Sequence, residues 1–100
     1  MAPKSGVFEA PPGGGIVYEY TNNTEKSFQP EYAEFTAPRV CFCRATIDGV
    51  QVVKAWAGGG GAHSWWVAAG GRFFRYPLKP TQTLRIELSD EGAIRIDWYE

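Results

Sequence analysis

The dipeptide Asp48-Gly49 is the strongest local constraint in the chain, because it sits between the strand-like runs Cys41 to Ile47 and Val50 to Trp56. Asp-Gly tolerates the two positive φ angles of a type I′ turn, and alternating runs on both sides make it the loop of a two-residue β-hairpin. Counting outward pairs Ile47 with Val50, Ala45 with Val52, Cys43 with Lys54 and Cys41 with Trp56 on one face. Thr46 with Gln51 and Arg44 with Val53 fall on the other. The first face is apolar except for Lys54, so it is expected to be core, with Lys54 at its mouth and both cysteines inside.

Two more hairpins follow from the same reasoning. Gly70-Gly71 supplies the backbone freedom of a tight turn, and counting from it pairs Val67 with Phe74, Trp65 with Tyr76 and His63 with Leu78. The opposite face of that hairpin carries Ala68 with Phe73 and Trp66 with Arg75. Asp90-Glu91-Gly92 reads as a three-residue loop with Gly92 left-handed, which sets Leu88 against Ile94, Ile86 against Ile96 and Leu84 against Trp98. Glu87 with Arg95 and Arg85 with Asp97 would then form opposite-charge pairs outside.

Upstream, Pro11-Pro12-Gly13-Gly14-Gly15 breaks the chain after Gly6-Val7-Phe8, and Ile16, Tyr18 and Tyr20 alternate as a strand. Thr21 to Thr24 is a turn. Ser27 to Pro38 is extended, with Phe28, Tyr32 and Phe35 as apolar anchors and Pro30 marking an edge or a bulge. No stretch carries a helical stripe long enough for a crossover. The expected fold is therefore all-β: one domain over residues 1–100, an antiparallel β-sandwich or jelly roll of about eight strands built from hairpins. A five-stranded oligonucleotide-binding barrel is the alternative, whereas a trefoil would need a threefold repeat that is absent.

Ten Lys and Arg against eleven Asp and Glu leave a net charge of −1, which gives no general attraction to phosphate backbones or anionic lipid. No nucleic-acid partner is expected. There is no apolar run long enough to span a membrane and no leader at the N-terminus, so the expected compartment is cytoplasmic, with export of a trimmed chain as the alternative. Cys41 and Cys43, two apart on a strand, share a face in poor geometry for a bridge to each other and are expected as free thiols. Asn22-Asn23-Thr24 matches a glycosylation sequon but carries no weight on its own.

Catalytic signals are missing. The run Gly58 to Gly61 has no Lys-Ser or Lys-Thr after it and no helix to open, so it is a loop rather than a phosphate cradle. His63 with Cys41 and Cys43 falls short of the four ligands of a closed zinc site. Ser64 points away from His63, and Glu87 and Asp97 are spoken for by arginines. The expectation is a protein with no catalytic residues, no metal and no cofactor, and not an enzyme.

What remains is aromatic: Trp65, Trp66, Phe73, Phe74 and Tyr76, interleaved with Arg72 and Arg75. One face of this hairpin serves the core, and the other, with Trp66, Phe73 and Arg75, is free to act as a platform for a sugar ring, a nucleobase or a partner protein, the nucleobase being disfavoured by the few basic residues and the acidic pI. The candidate ligand-binding residues are Trp66, Phe73, Arg75, His63 and Arg72. The functional expectation is a small lectin-like carbohydrate-binding domain. The alternative is a protein–protein interaction unit, such as an inhibitor, a toxin-like domain or a self-assembling virion or surface component, with a homo-oligomer as one form of it.

Gly6-Val7-Phe8 near the start and Ile96-Asp97-Trp98 near the end resemble the termini of small calcium-dependent, fucose-binding bacterial lectins. That family holds two calcium ions on an Asp/Asn-rich loop ahead of its last strand. Here the corresponding place has only Asp90-Glu91-Gly92, so the resemblance does not extend to calcium-bridged sugar recognition.

Overall fold

Apolar alternation with period two runs through most of the chain, and each such run becomes a strand. The computed structural model describes residues 5–57, 64–66 and 77–99, with the backbone alone described at 30–34, 57, 64–66 and 99. The strands are β1 (Gly6–Ala10), β2 (Gly15–Thr21), β3 (Gln29–Ala37), β4 (Cys41–Ile47), β5 (Val50–Ala57), β6 (Ser64–Trp66), β7 (Thr83–Leu88) and β8 (Gly92–Tyr99). They form two antiparallel four-stranded sheets, ordered β1-β8-β3-β6 and β2-β7-β4-β5. Among the described residues there is no helix.

Among the described strands, each belongs to the other sheet from the one before it, except β5, which follows β4 in the same sheet. One core lies between the sheets: Leu84, Ile86 and Leu88 of β7 and Cys41, Cys43 and Ala45 of β4 face Phe35 of β3 and Ile94 and Ile96 of β8, all buried. Toward one end an aromatic cluster closes it, where Trp98 lies 5.8 Å from Tyr20, 6.1 Å from Tyr18 and 6.4 Å from Phe28 between ring centroids. The contacts of Trp98 with Tyr20 and Phe28 are edge-on, a geometry that adds to the burial of area.

The hairpin expected at Asp48-Gly49 is present, with φ of 50° at Asp48 and 82° at Gly49. Its register holds for Ile47 with Val50 and Thr46 with Gln51, and then shifts: Ala45 faces Val53, Arg44 faces Lys54, Cys43 faces Ala55 and Cys41 faces Ala57. The expected pairs of Ala45 with Val52, Arg44 with Val53, Cys43 with Lys54 and Cys41 with Trp56 are thereby corrected. The extra residue is a β-bulge at Val52, which lets Val52 and Val53 both pack on the core and turns Lys54 outward. Strict alternation would have directed an ammonium into an apolar core, an expensive arrangement without a partner. Both cysteines are buried and free, as the hairpin implied.

The second correction concerns β7 and β8, which do not pair with each other. β7 lies between β2 and β4, and β8 between β1 and β3, so Ser89 to Glu91 carries the chain from one sheet to the other. The residues set opposite each other in sequence do line one core, but they meet across it. Glu87 pairs with Arg44 at 3.5 Å and Arg85 with Glu19 at 2.6 Å, while Arg95 reaches Asp97 on its own strand at 3.4 Å. Gly92 is not left-handed. Its lack of a side chain serves packing instead, since a Cβ there would lie 2.9 Å from the Thr36 carbonyl oxygen.

Three sheet-crossing corners meet at Asp90. Its Oδ1 accepts from Gly13 N at 3.0 Å and from Glu91 N at 2.8 Å, and Arg39 Nε reaches Oδ2 at 3.3 Å. The N–H groups of Gly13 and Glu91, and then Arg39, hold the Asp90 carboxyl down at about 2. At Gly14 the close approach leaves no room for a side chain: φ is 76°, and a Cβ would sit 2.3 Å from the Leu88 carbonyl oxygen.

The other end is held by Asn22, which is fully buried. Its Nδ2 donates to Lys26 O at 2.8 Å and Leu78 O at 3.0 Å, and its Oδ1 accepts from Thr24 N at 3.0 Å and Thr24 Oγ1 at 2.7 Å. All four bonds available to the amide are made, which leaves the sequon nitrogen in the interior. Pro30 falls where β3 pairs with β8 alone among the described residues, and the irregularity in that strand comes later, between Tyr32 and Phe35.

Candidate functional site

The bulge at Val52 decides which side chains β5 shows to solvent. After it, Lys54 and Trp56 point outward, and Trp56, which sequence counting placed in the core, is 53% exposed. Its cross-strand neighbour is Phe42, half-buried on the same outer face, with ring centroids 5.4 Å apart and planes at 66°. The Lys54 ammonium lies 4.4 Å from the Phe42 centroid and 5.3 Å from that of Trp56. An exposed cation over aromatic rings in this way is worth about 0.5–1 kcal/mol, enough to favour the position without fixing it.

Around the rings the outer face of the second sheet is polar. Arg44 lies beside Lys54 and is tied to Glu87, and Arg85 to Glu19, with Ile16 also exposed at the far end of the Arg44 row. Ile16 was expected to share a face with Tyr18 and Tyr20. A shift in register between Ile16 and Tyr18 turns it out while Val17, Tyr18 and Tyr20 pack toward the core. Near Phe42, the Ser89 hydroxyl accepts from Phe42 N at 2.9 Å and Ser89 N donates to Phe42 O at 3.0 Å, which anchors the strand under the ring. Val40, 63% exposed, lies just ahead of β4. The result is an aromatic step at the end of a charged sheet face, on the last of the described strands of its sheet.

Of the residues the sequence offered as ligand-binding, His63, Arg72, Phe73 and Arg75 lie outside the described residues. Trp66 is described in its backbone alone, where it pairs with Phe35, and Trp65 pairs with Thr36. Phe35 belongs to the buried row of the first sheet. Thr36 continues across the sheet to Ala93 and Glu9 on the other row. That row borders a shallow depression of about 440 Å³ lined by Val7, Glu9, Thr36, Pro38, Glu91 and Ala93. Leu78, expected opposite His63, forms a reciprocal bridge with Phe28.

Sequence counting missed Trp56, Phe42 and Lys54 as a surface group. The signal was available in the lysine itself: a Lys on an otherwise apolar face, preceded by the adjacent pair Val52-Val53, asks for a bulge that takes the lysine out. Burial, and next the neighbouring Cys41, push the Cys43 thiol far above its ordinary range. Among the described residues no three His, Cys, Asp or Glu side chains converge as metal ligands. What the outer face can do chemically is stack a flat apolar surface on Trp56 and offer hydrogen bonds and charge from Lys54, Arg44 and Glu87.

Comparison of the chain with protein-family models, with curated proteins and with solved structures finds no match in any of the three.

Proposed function

We propose that the protein is a non-enzymatic, lectin-like carbohydrate-binding module whose ligand rests on the Trp56–Phe42 step. The observation that carries this is the half-exposed Trp56 on the outer face of its sheet, with polar groups at its side. An exposed tryptophan contributes little to folding because much of its area stays in water, but a sugar's C–H face can cover it, while hydroxyls need hydrogen-bonding neighbours such as Lys54, Arg44 and Glu87. The sheet orders β1-β8-β3-β6 and β2-β7-β4-β5 favour a jelly roll, an architecture that lectin domains use. That is support by analogy of fold alone, and the site carries the argument.

A second reading is favoured by the same strand. Val40, Phe42 and Trp56 form an apolar end where β4 meets β5, which is outermost among the described strands of its sheet, and a partner protein could cover it. The two separate on Trp56→Ala. Stability should fall by about 1–2 kcal/mol and the variant should stay folded, since about half of the side chain is in solvent. On a glycan array followed by calorimetry, the wild-type protein should bind at least one saccharide and the variant should lose that binding. A bare array, or full binding by the variant, overturns the carbohydrate reading at this site.

A further inference from the structure

Resting on that reading, we infer that the saccharide carries an anionic group, a carboxylate or a sulfate, which Lys54 receives while the sugar ring covers Trp56. Charge on the outer face is the reason. Arg44 is neutralised by Glu87 and Arg85 by Glu19, whereas Lys54 has no carboxylate partner among the described residues. Its ammonium is instead parked over Phe42 and Trp56. The aromatic end of the face therefore holds an uncompensated positive charge, and the rest of the face is balanced.

The placement suits a two-part ligand. The ammonium lies over the indole, 5.3 Å from its centroid, so a pyranose that takes its place on the ring brings an exocyclic acidic group within reach of the displaced ammonium. The cation–π contact is weak and Lys54 is exposed, so the ammonium can turn from the rings toward an anion at small cost. A neutral sugar would draw on Trp56 and on hydrogen bonds to its hydroxyls, and would leave the charge of Lys54 unanswered. A nucleic acid would also offer a flat ring and an anion, but its backbone repeats the charge, and beyond Lys54 its further phosphates would meet arginines already paired with Glu87 and Glu19. A single anion beside one ring needs Lys54 alone.

The test compares a glucuronic-acid oligosaccharide with its carboxyl-reduced counterpart and with the sulfated form of that neutral sugar, using calorimetry on wild type, Lys54→Gln, Lys54→Arg and Trp56→Ala. A dT oligonucleotide is the fourth probe. One acidic form should bind about tenfold tighter than the neutral one at low salt, with the preference shrinking as salt is raised. Which acidic form it is distinguishes carboxylate from sulfate. Lys54→Gln should abolish the preference by bringing the acidic form down to the affinity of the neutral one, Lys54→Arg should keep it, and Trp56→Ala should weaken both sugars. Melting curves confirm that each variant is folded. Equal binding of acidic and neutral forms, unaffected by Lys54→Gln, overturns the inference and leaves the carbohydrate reading standing. Absence of binding to every sugar overturns both, and tighter binding of the oligonucleotide overturns the inference in favour of single-stranded nucleic acid.

Discussion

Two segments of this protein look alike in sequence and behave differently. Asp48-Gly49 and Asp90-Glu91-Gly92 both set an aspartate and a glycine between alternating apolar runs. The first closes a hairpin within one sheet, with positive φ at both turn residues. The second carries the chain between sheets, and its glycine has an ordinary backbone but sits against Thr36 O. Their aspartates differ in the same way. Asp48 accepts from Thr83 N of the next strand at 2.9 Å, while Asp90 gathers Gly13, Glu91 and Arg39 from three separate corners. A turn is specified by the φ angles its residues must adopt, and composition only makes those angles cheap.

Substitutions at the two glycines separate the reasons. Gly49→Asn should change stability by no more than about 0.5 kcal/mol, because Asn enters the left-handed region readily and a Cβ there meets nothing. Gly92→Ala should cost about 1–3 kcal/mol, and Gly92→Asn at least as much, because the obstacle is the Thr36 carbonyl and not the backbone angle. Denaturant midpoints of the three variants measure this. A Gly92→Asn protein as stable as wild type would break the distinction and return Gly92 to the role of a left-handed turn residue.

The aspartates offer a smaller effect that depends on pH. Because the folded protein holds Asp90 at about 2, below its ordinary 3.8, ionised Asp90 favours the folded state. That contribution is complete above about pH 4 and is lost as pH falls from there toward 2. Asp90→Asn should thus be less stable than wild type near neutrality, and the gap should narrow across that acid window. Thermal melts of both proteins from pH 6 to about 2 follow the gap, and a constant gap would mean that Asp90 does not titrate with the corner intact.

These contrasts also explain how much was legible beforehand. Which residues face the core was readable for β7 and β8, since Leu84, Ile86, Leu88, Ile94, Ile96 and Trp98 are all buried. How the two strands pair was not, because period-two alternation is satisfied equally by strands hydrogen-bonded side by side and by strands facing each other across a core. In β4 and β5 the turn was readable and the far register was not: one bulged residue at Val52 exchanges the faces beyond it. The candidate site lies beyond that bulge, so Trp56 and Lys54 were counted on the wrong face. The aromatic cluster around Gly70-Gly71, where the sequence placed its platform, lies outside the described residues apart from the backbones of Trp65 and Trp66.

One further turn sharpens the contrast from the opposite side, because it has the angle without the glycine. Lys79-Pro80-Thr81-Gln82 is closed by Gln82 N to Lys79 O at 3.1 Å, and Thr81 carries a φ of 72°. Proline in the second place and positive φ in the third are the marks of a type II turn, which favours Gly or Asn there and penalises a β-branched residue. Thr81 is held in place from outside the turn, since its N–H donates to the Asn22 carbonyl at 2.7 Å and Gln82 O accepts from Asn22 N at 2.9 Å. Relief of a left-handed β-branched residue is worth about 1–2 kcal/mol, and the added freedom of an unfolded glycine costs about 0.5–1 kcal/mol. Thr81→Gly should therefore stabilise the protein by about 0.5 kcal/mol, with Thr81→Asn close behind it. A melting midpoint that falls instead would show that the threonine side chain supports the turn, and that the angle at this position is set by packing, as the absence of a side chain is at Gly92.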